Sequence, residues 1–164
     1  VDEIIIRQAG LADLDDLVRL RRLMFESMGA GDAAELDAAD DAVRAYMCSA
    51  IPAETFYGWL AVTRQGQAVG SGGIVIDIHP PGPGNLSGRV GYIMNVVTVP
   101  AYRRHGIARR MMQTMLHWLA EQGIQRVSLH ASQMGRPLYE SMGFVAGNEM
   151  RFTIQHTPPP SASS

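Results

Sequence analysis

The chain has 164 residues, of which 46% are hydrophobic and 18% charged, with a formal net charge of -2 and a pI near 6.2. That length suits one domain with a sizeable core; the balance excludes a disordered chain and leaves no overall basic field to draw the protein to nucleic acid or anionic lipid. Cys48 is the only cysteine, which excludes an internal disulfide framework, argues against a cysteine-based zinc site and points to a reducing, cytoplasmic compartment. No apolar run approaches the roughly 20 residues that span a bilayer, and Val1-Asp2-Glu3 is acidic, unlike a secretory signal. The expectation is therefore no membrane, no nucleic acid and no metal.

The β-branched run Ile4-Ile5-Ile6-Arg7 predicts a first strand. Leu11, Leu14, Leu17 and Val18 recur at helical spacing and predict a helix over 11–27. Gly29-Ala30-Gly31 breaks it. Asp32 is placed to cap a second helix running to Ser49, with Glu35 and Asp37 in its first turns. Two β-rich runs, 56–63 and 68–78, flank a hairpin-like turn at 64–67. Residues 79–88, dense in Pro and Gly, form a loop. The apolar run 91–99 predicts a central strand buried on both faces, stopped by Pro100. A helix then starts at Gly106 and closes near Gly123. A short strand at 127–130 and a short helix at 137–141 follow. Residues 143–145 and 150–155 read as the last strands, and 157–164 (TPPPSASS) as a disordered tail. Residues 1–156 thus read as one domain, a mixed α/β (α+β) sheet with helices on both faces rather than an alternating doubly wound fold.

The most informative stretch joins the 91–99 strand to the following helix. A turn rich in positive charge, Tyr102-Arg103-Arg104-His105, opens that helix at Gly106. The outward N–H groups of a helix N-terminus carry partial positive charge and form a pyrophosphate cradle. Gly106 lets an anion approach the backbone, and Ala108 keeps the first turn narrow. Arg103 and Arg104 add charge-assisted bonds to phosphate oxygens. Paired arginines beside a glycine are, taken alone, most often a solvated turn. The buried strand, the proline stop and the Gly106/Ala108 spacing favour the anion site.

On these residues the chain resembles the GCN5-related N-acetyltransferase (GNAT) family. That family's acyl-CoA loop reads Gln/Arg-x-x-Gly-x-Gly/Ala, here Arg103-Arg104-His105-Gly106-Ile107-Ala108. A second segment, Leu138-Tyr139-Glu140-Ser141-Met142-Gly143-Phe144, is similar to the family's Leu-Tyr-x-x-x-Gly-Phe. The resemblance implies a mostly antiparallel, twisted sheet with a central splayed strand pair, and acetyl-CoA as acyl donor. It implies that the strand end Val97-Thr98-Val99 meets the pantetheine arm through its backbone, with Val97 and Val99 supplying the contacts. The N–H groups from Arg104 through His105, Gly106 and Ile107 to Ala108 would hold the pyrophosphate, and Arg103 or Arg109 the 3′-phosphate. Tyr139 matches the tyrosine near the CoA sulfur, a general acid for the departing thiolate. Ser132 stands seven residues before Tyr139, where many members carry Asn; its shorter hydroxyl would bond the pantetheine or a helix end.

Amine acetylation also needs a proton acceptor. Tyr92-Ile93-Met94-Asn95-Val96 contains no carboxylate, so a glutamate base on that strand is excluded. His130, at its strand end, is the best replacement, since a free imidazole has a pKa of about 6.5, close to working pH; Glu149 is another, or a contact for a cationic acceptor. Asn95 would orient substrate or water. The helical pair at 11–49 should cover the acceptor, a small-molecule or peptide amine, with Phe25 and Met28 as contacts and Arg21 and Arg22 as ligands for an acceptor carboxylate or phosphate. A homodimer is one assembly the family implies. The rivals are a non-catalytic acyl-CoA sensor on the same fold and other phosphate-binding folds. The loop has no lysine for a P-loop, and Arg-x-x-Gly-x-Ala is not the Rossmann fingerprint.

Overall fold

These patterns build five strands and four helices in a computed structural model that describes residues 3–155. Strand β1 (Ile5–Ala9) leads through a single 3-10 turn (Leu11–Asp13) into helix α1 (Leu14–Ser27). Asp13 accepts from the Arg7 guanidinium at 2.7 and 2.9 Å and from the Gly10 N–H at 2.9 Å, which fixes the angle between strand and helix. The expected 11–27 helix therefore begins as a tight turn. Helix α2 (Ala33–Ala50) starts where Asp32 predicts it. The Asp32 carboxylate accepts the Glu35 N–H at 2.9 Å and Glu35 accepts the Asp32 N–H at 2.9 Å, a reciprocal capping box.

Strands β2 (Phe56–Val62), β3 (Ala68–Ile78) and β4 (Arg89–Thr98) follow, then helix α3 (Ile107–Glu121) and strand β5 (Arg126–Leu129). The sheet runs β1-β2-β3-β4-β5, antiparallel throughout except for the parallel β4–β5 pair. Because strand side chains alternate between faces, consecutive residues show what covers each side. A side chain at Gly72 would collide with Met111 and Met115 of α3, and one at its neighbour Gly73 with the Phe56 ring. Phe56 belongs to the core formed with Leu17 and Leu20 of α1 and Met47 of α2. Helices thus cover both faces. On the α3 side, Trp118 packs edge-on against Trp59, with ring centroids 5.3 Å apart.

Strand β4 is less fully buried than its composition suggests. Gly91, Ile93, Val97 and Thr98 are buried, whereas Tyr92, Met94, Asn95 and Val96 are half-buried. It is an interior strand only over its first part, since β5 pairs with Val90–Ile93 and reaches no further.

The chain divides into two compact units, Val1–His130 and Ala131–Ser164. The second contains helix α4 (Arg136–Ser141). Within it the Tyr139 ring meets Phe144 edge-on at 5.9 Å, and the Phe144 N–H donates to the Tyr139 carbonyl at 3.0 Å. The strands expected at 143–145 and 150–155 are absent. Met150, Phe152 and Ile154 alternate as strand residues do but are exposed. Alternation marks a residue run that suits a strand, and a strand also needs a hydrogen-bonded neighbour; no pairing is formed there among the described residues. The predicted tail at 157–164 lies outside the described residues.

Candidate acyl-donor and acceptor sites

Two features of β4 shape the first site. Ser71 pairs with Val97 and Gly73 with Met94, so β4 carries one residue more than β3 between these pairs. The extra residue is a β-bulge at Asn95–Val96, and Asn95 takes a left-handed conformation with φ 57°. Asn is among the few residues with a side chain that tolerate it. The Ser71 hydroxyl donates to the Asn95 carbonyl at 3.3 Å and pins the bulge. Just before it, β5 stops pairing with β4 at Ile93, so the two parallel strands part and the β4 edge beyond is left without a strand partner among the described residues. This is the splayed pair that the family resemblance implies.

The bulge also sets which peptides face that edge. The Val99 N–H donates to the Val69 carbonyl at 2.8 Å. Val99 therefore faces β3, and by alternation so does Val97; Thr98, between them, turns its N–H to the open edge. Of the three backbones expected at the pantetheine arm, only Thr98 is suitably turned, which corrects the expectation for Val97 and Val99. Sequence could not set this parity because one bulged residue reverses it. The Thr98 hydroxyl is buried with no hydrogen-bond partner among the described residues. An unpaired buried hydroxyl costs about 1–3 kcal/mol. Thr98→Val should thus leave stability equal or raise it by on the order of 1 kcal/mol in a urea melt. Acetyl-CoA affinity should stay unchanged, because the contribution of Thr98 is its backbone.

Pro100 ends the strand in a 3-10 turn (Pro100–Tyr102) that carries the chain toward α3. Arg103 donates from Nε to the Thr98 carbonyl at 3.1 Å and from its guanidinium to the Ser27 hydroxyl at 3.4 Å, which ties the loop to the end of α1. Arg104 is exposed, with φ 65°, and His105 is exposed with Nδ1 3.3 Å from the Tyr102 carbonyl. Gly106 caps α3 at φ 75°, and no side chain caps the helix there. The first helical bond runs from the Arg110 N–H to the Gly106 carbonyl at 3.0 Å. The N–H groups of Ile107 and Ala108 precede it and have no intrahelical acceptor. A side chain built on Gly106 would meet nothing within 4 Å, so the space over this helix start is open. Ile107 is buried and anchors the turn, while Arg109 is exposed one turn along. An uncapped helix start, open space and flanking guanidinium groups suit a pyrophosphate.

The second site is a cleft of about 320 Å³ beside the bulge, lined by residues of α1, α2, β2 and β4 including Arg21, Tyr46, Met47, Phe56, Met94 and Asn95. Asn95 is there as expected. Phe25 and Met28 do not line it: Phe25 lies under the Arg21 guanidinium, 4.6 Å from ring centroid, and Met28 is an exposed residue at the end of α1. Sequence reading missed the α2 wall, Ala39, Ala42, Val43, Tyr46 and Met47. Their three- and four-residue spacing is a helix stripe, legible as apolar but not as ligand-facing.

His130 follows β5 at the surface and closes the first unit. Ser132, Tyr139 and Glu149 belong to the second unit. The Ser132 hydroxyl accepts the Gly135 N–H at 3.1 Å, a turn leading into α4, so it serves a helix start. Tyr139 is buried, and loss of solvation pushes its phenol above the ordinary value. Glu149 is exposed. Among the described residues no group of three or more His, Cys, Asp or Glu is placed to hold a metal ion, and no helix is long and apolar enough to cross a membrane.

Residues 15–144 match the family model described as Acetyltransferase (GNAT) family. Among solved structures, a GCN5-related N-acetyltransferase from Ralstonia eutropha JMP134 is 31% identical over 93% of this chain and 99% of its own, with a TM-score of 0.85. A predicted acetyltransferase from Clostridium acetobutylicum, solved with acetyl-CoA, is 27% identical over 93% of this chain and 96% of its own, with a TM-score of 0.84. An aminoglycoside N-acetyltransferase in complex with CoA shares the fold at 18% identity, covering 96% of this chain and 97% of its own with a TM-score of 0.74. None of the curated proteins compared with the chain matches it.

Proposed function

The chain belongs to the acetyltransferase (GNAT) family, and on that premise we propose that it is an N-acetyltransferase moving an acetyl group from acetyl-CoA to an amine. The observation that carries this reading is the bulged, splayed end of β4 running into an uncapped helix start at Gly106. The pyrophosphate would lie on the N–H groups from Arg104 to Ala108, with Arg103, Arg104 or Arg109 at the phosphates and the Thr98 backbone along the pantetheine. Residues 1–156 act as a single acetyltransferase domain; the family match crosses the boundary between the two units.

The neutral amine nitrogen attacks the thioester carbonyl carbon and forms the C–N bond. The tetrahedral intermediate collapses, the C–S bond breaks, and the electron pair leaves on sulfur. One amine proton goes to a base, and the thiolate takes a proton from Tyr139. The products are one N-acetyl amide and one free thiol. The support for Tyr139 is its motif and a buried phenol that stays protonated at neutral pH. His130 is the first candidate base, with Glu149 the second. A library of amines incubated with acetyl-CoA, followed by free-thiol release, tests the reading. Amine-dependent release is expected, and acetyl-CoA binding without turnover of any amine would favour the acyl-CoA sensor instead.

A further inference from the structure

Resting on the reading of this chain as an acetyltransferase, we propose that the acceptor is an amine that also carries a carboxylate and a compact apolar group, with the carboxylate held by Arg21. The three neighbouring arginines on α1 differ in what they face. Arg19 is paired with Asp16 at 2.7 Å. Arg22 is committed to Asp37 at 2.6 Å and to Asp40 and Glu26 at 2.9 Å. Arg21 forms no ion pair with a carboxylate among the described residues, and its guanidinium lies over the Phe25 ring. Among the described residues it is also the only charged one lining the cleft.

The Arg21 side chain is half-buried and so partly desolvated. Burial lowers its pKa, and the more distant Asp40 raises it only in part. A ligand oxyanion supplies a direct counter-charge where Asp40 acts only from a distance, and the planar fork of arginine matches a carboxylate with two parallel bonds. The Phe25 ring holds the fork from one face and leaves its edge for that contact. Most of the remaining wall is apolar, including Val43, the Tyr46 ring, Met47 and Phe56. It offers an acceptor side chain apolar contact and no second charge. Asn95 stands on the bulge at the β4 side of the same cleft, where the amine end would lie toward the acyl donor.

The same residues disfavour other acceptors. A polycationic amino sugar would meet Arg21 with no carboxylate among the described lining residues to attract it. A phosphate dianion would find a single cation, Arg21, among the described lining residues to balance its two charges.

The test compares L-phenylalanine and L-leucine with their primary amides, which keep the amine and lack the carboxylate, and with O-phosphoethanolamine, as ligands of the protein saturated with CoA. Calorimetry reads binding, and thiol release from acetyl-CoA reads turnover in parallel. The acids should bind about 10–100-fold more tightly than the amides, as expected for a charge-assisted pair. Arg21→Gln should erase that preference while leaving acetyl-CoA affinity unchanged, which also reports an intact fold. Equal binding of acids and amides, a preference that survives in Arg21→Gln, tighter binding of O-phosphoethanolamine, or no binding of any probe would each overturn the proposal. Acids that bind through Arg21 yet release no thiol would support the carboxylate site and count against the transferase reading, so the two failures are separable.

Discussion

Gly106→Glu should abolish measurable acetyl-CoA binding in a protein that remains folded. Gly106 sits at φ 75°, where a side chain costs about 1–2 kcal/mol of backbone strain. Space for the side chain exists, since nothing lies within 4 Å of the position its first carbon would take. That open space is the proposed seat of the pyrophosphate, so the glutamate occupies it with both bulk and a negative charge. Two like charges 4 Å apart at an effective dielectric of 20 repel by roughly 4 kcal/mol. A loss of at least about 100-fold in affinity follows even after partial screening. Gly106→Ala is the control, since it introduces the strain without the charge and should weaken binding far less. Equal acetyl-CoA affinity in wild type and folded Gly106→Glu, measured by calorimetry, would place the phosphates elsewhere.

The second large effect concerns chemistry. Tyr139→Phe should lower kcat by about 10²–10⁴, the usual contribution of a positioned general acid. The change keeps the ring and its edge-on contact with Phe144, so stability should hardly move. Acetyl-CoA affinity should also hold. Burial raises the phenol pKa, and an acid with a raised pKa keeps its proton to higher pH. The wild-type kcat should accordingly not fall until pH passes the ordinary tyrosine value of about 10. If Tyr139 only packs its helix, Tyr139→Phe would leave kcat unchanged with chemistry rate-limiting. His130→Ala should lower kcat with acetyl-CoA affinity unchanged if His130 is the base.

Features set by residues close in sequence are legible in the sequence itself. Asp32 followed by Glu35 announces the start of α2, because both groups needed for the cap are three residues apart. Strands β2 and β3 begin at Phe56 and Ala68, where their β-rich runs begin. The Gly106 helix start is legible because a left-handed cap and an open anion site both call for glycine. What stays hidden depends on partners distant in sequence. The β4 bulge is defined by its register against β3, so the edge-facing role of Thr98 cannot be read from Val97-Thr98-Val99. Met150, Phe152 and Ile154 have a strand's alternation but no paired edge. The acceptor cleft is assembled by packing α1 and α2 beside Asn95, and only then does Arg21 differ from Arg22.

An acetyl group transferred to nitrogen ends as an amide. Acetyl-CoA labelled with carbon-13 at the acetyl carbonyl, incubated with the protein and a panel of amines, tests that transfer most directly by carbon NMR. The thioester signal should be replaced by an amide carbonyl on the acceptor, in the same amount as the thiol released. Label that stays in the thioester with every amine tested, or that appears only as acetate, would contradict transfer to nitrogen.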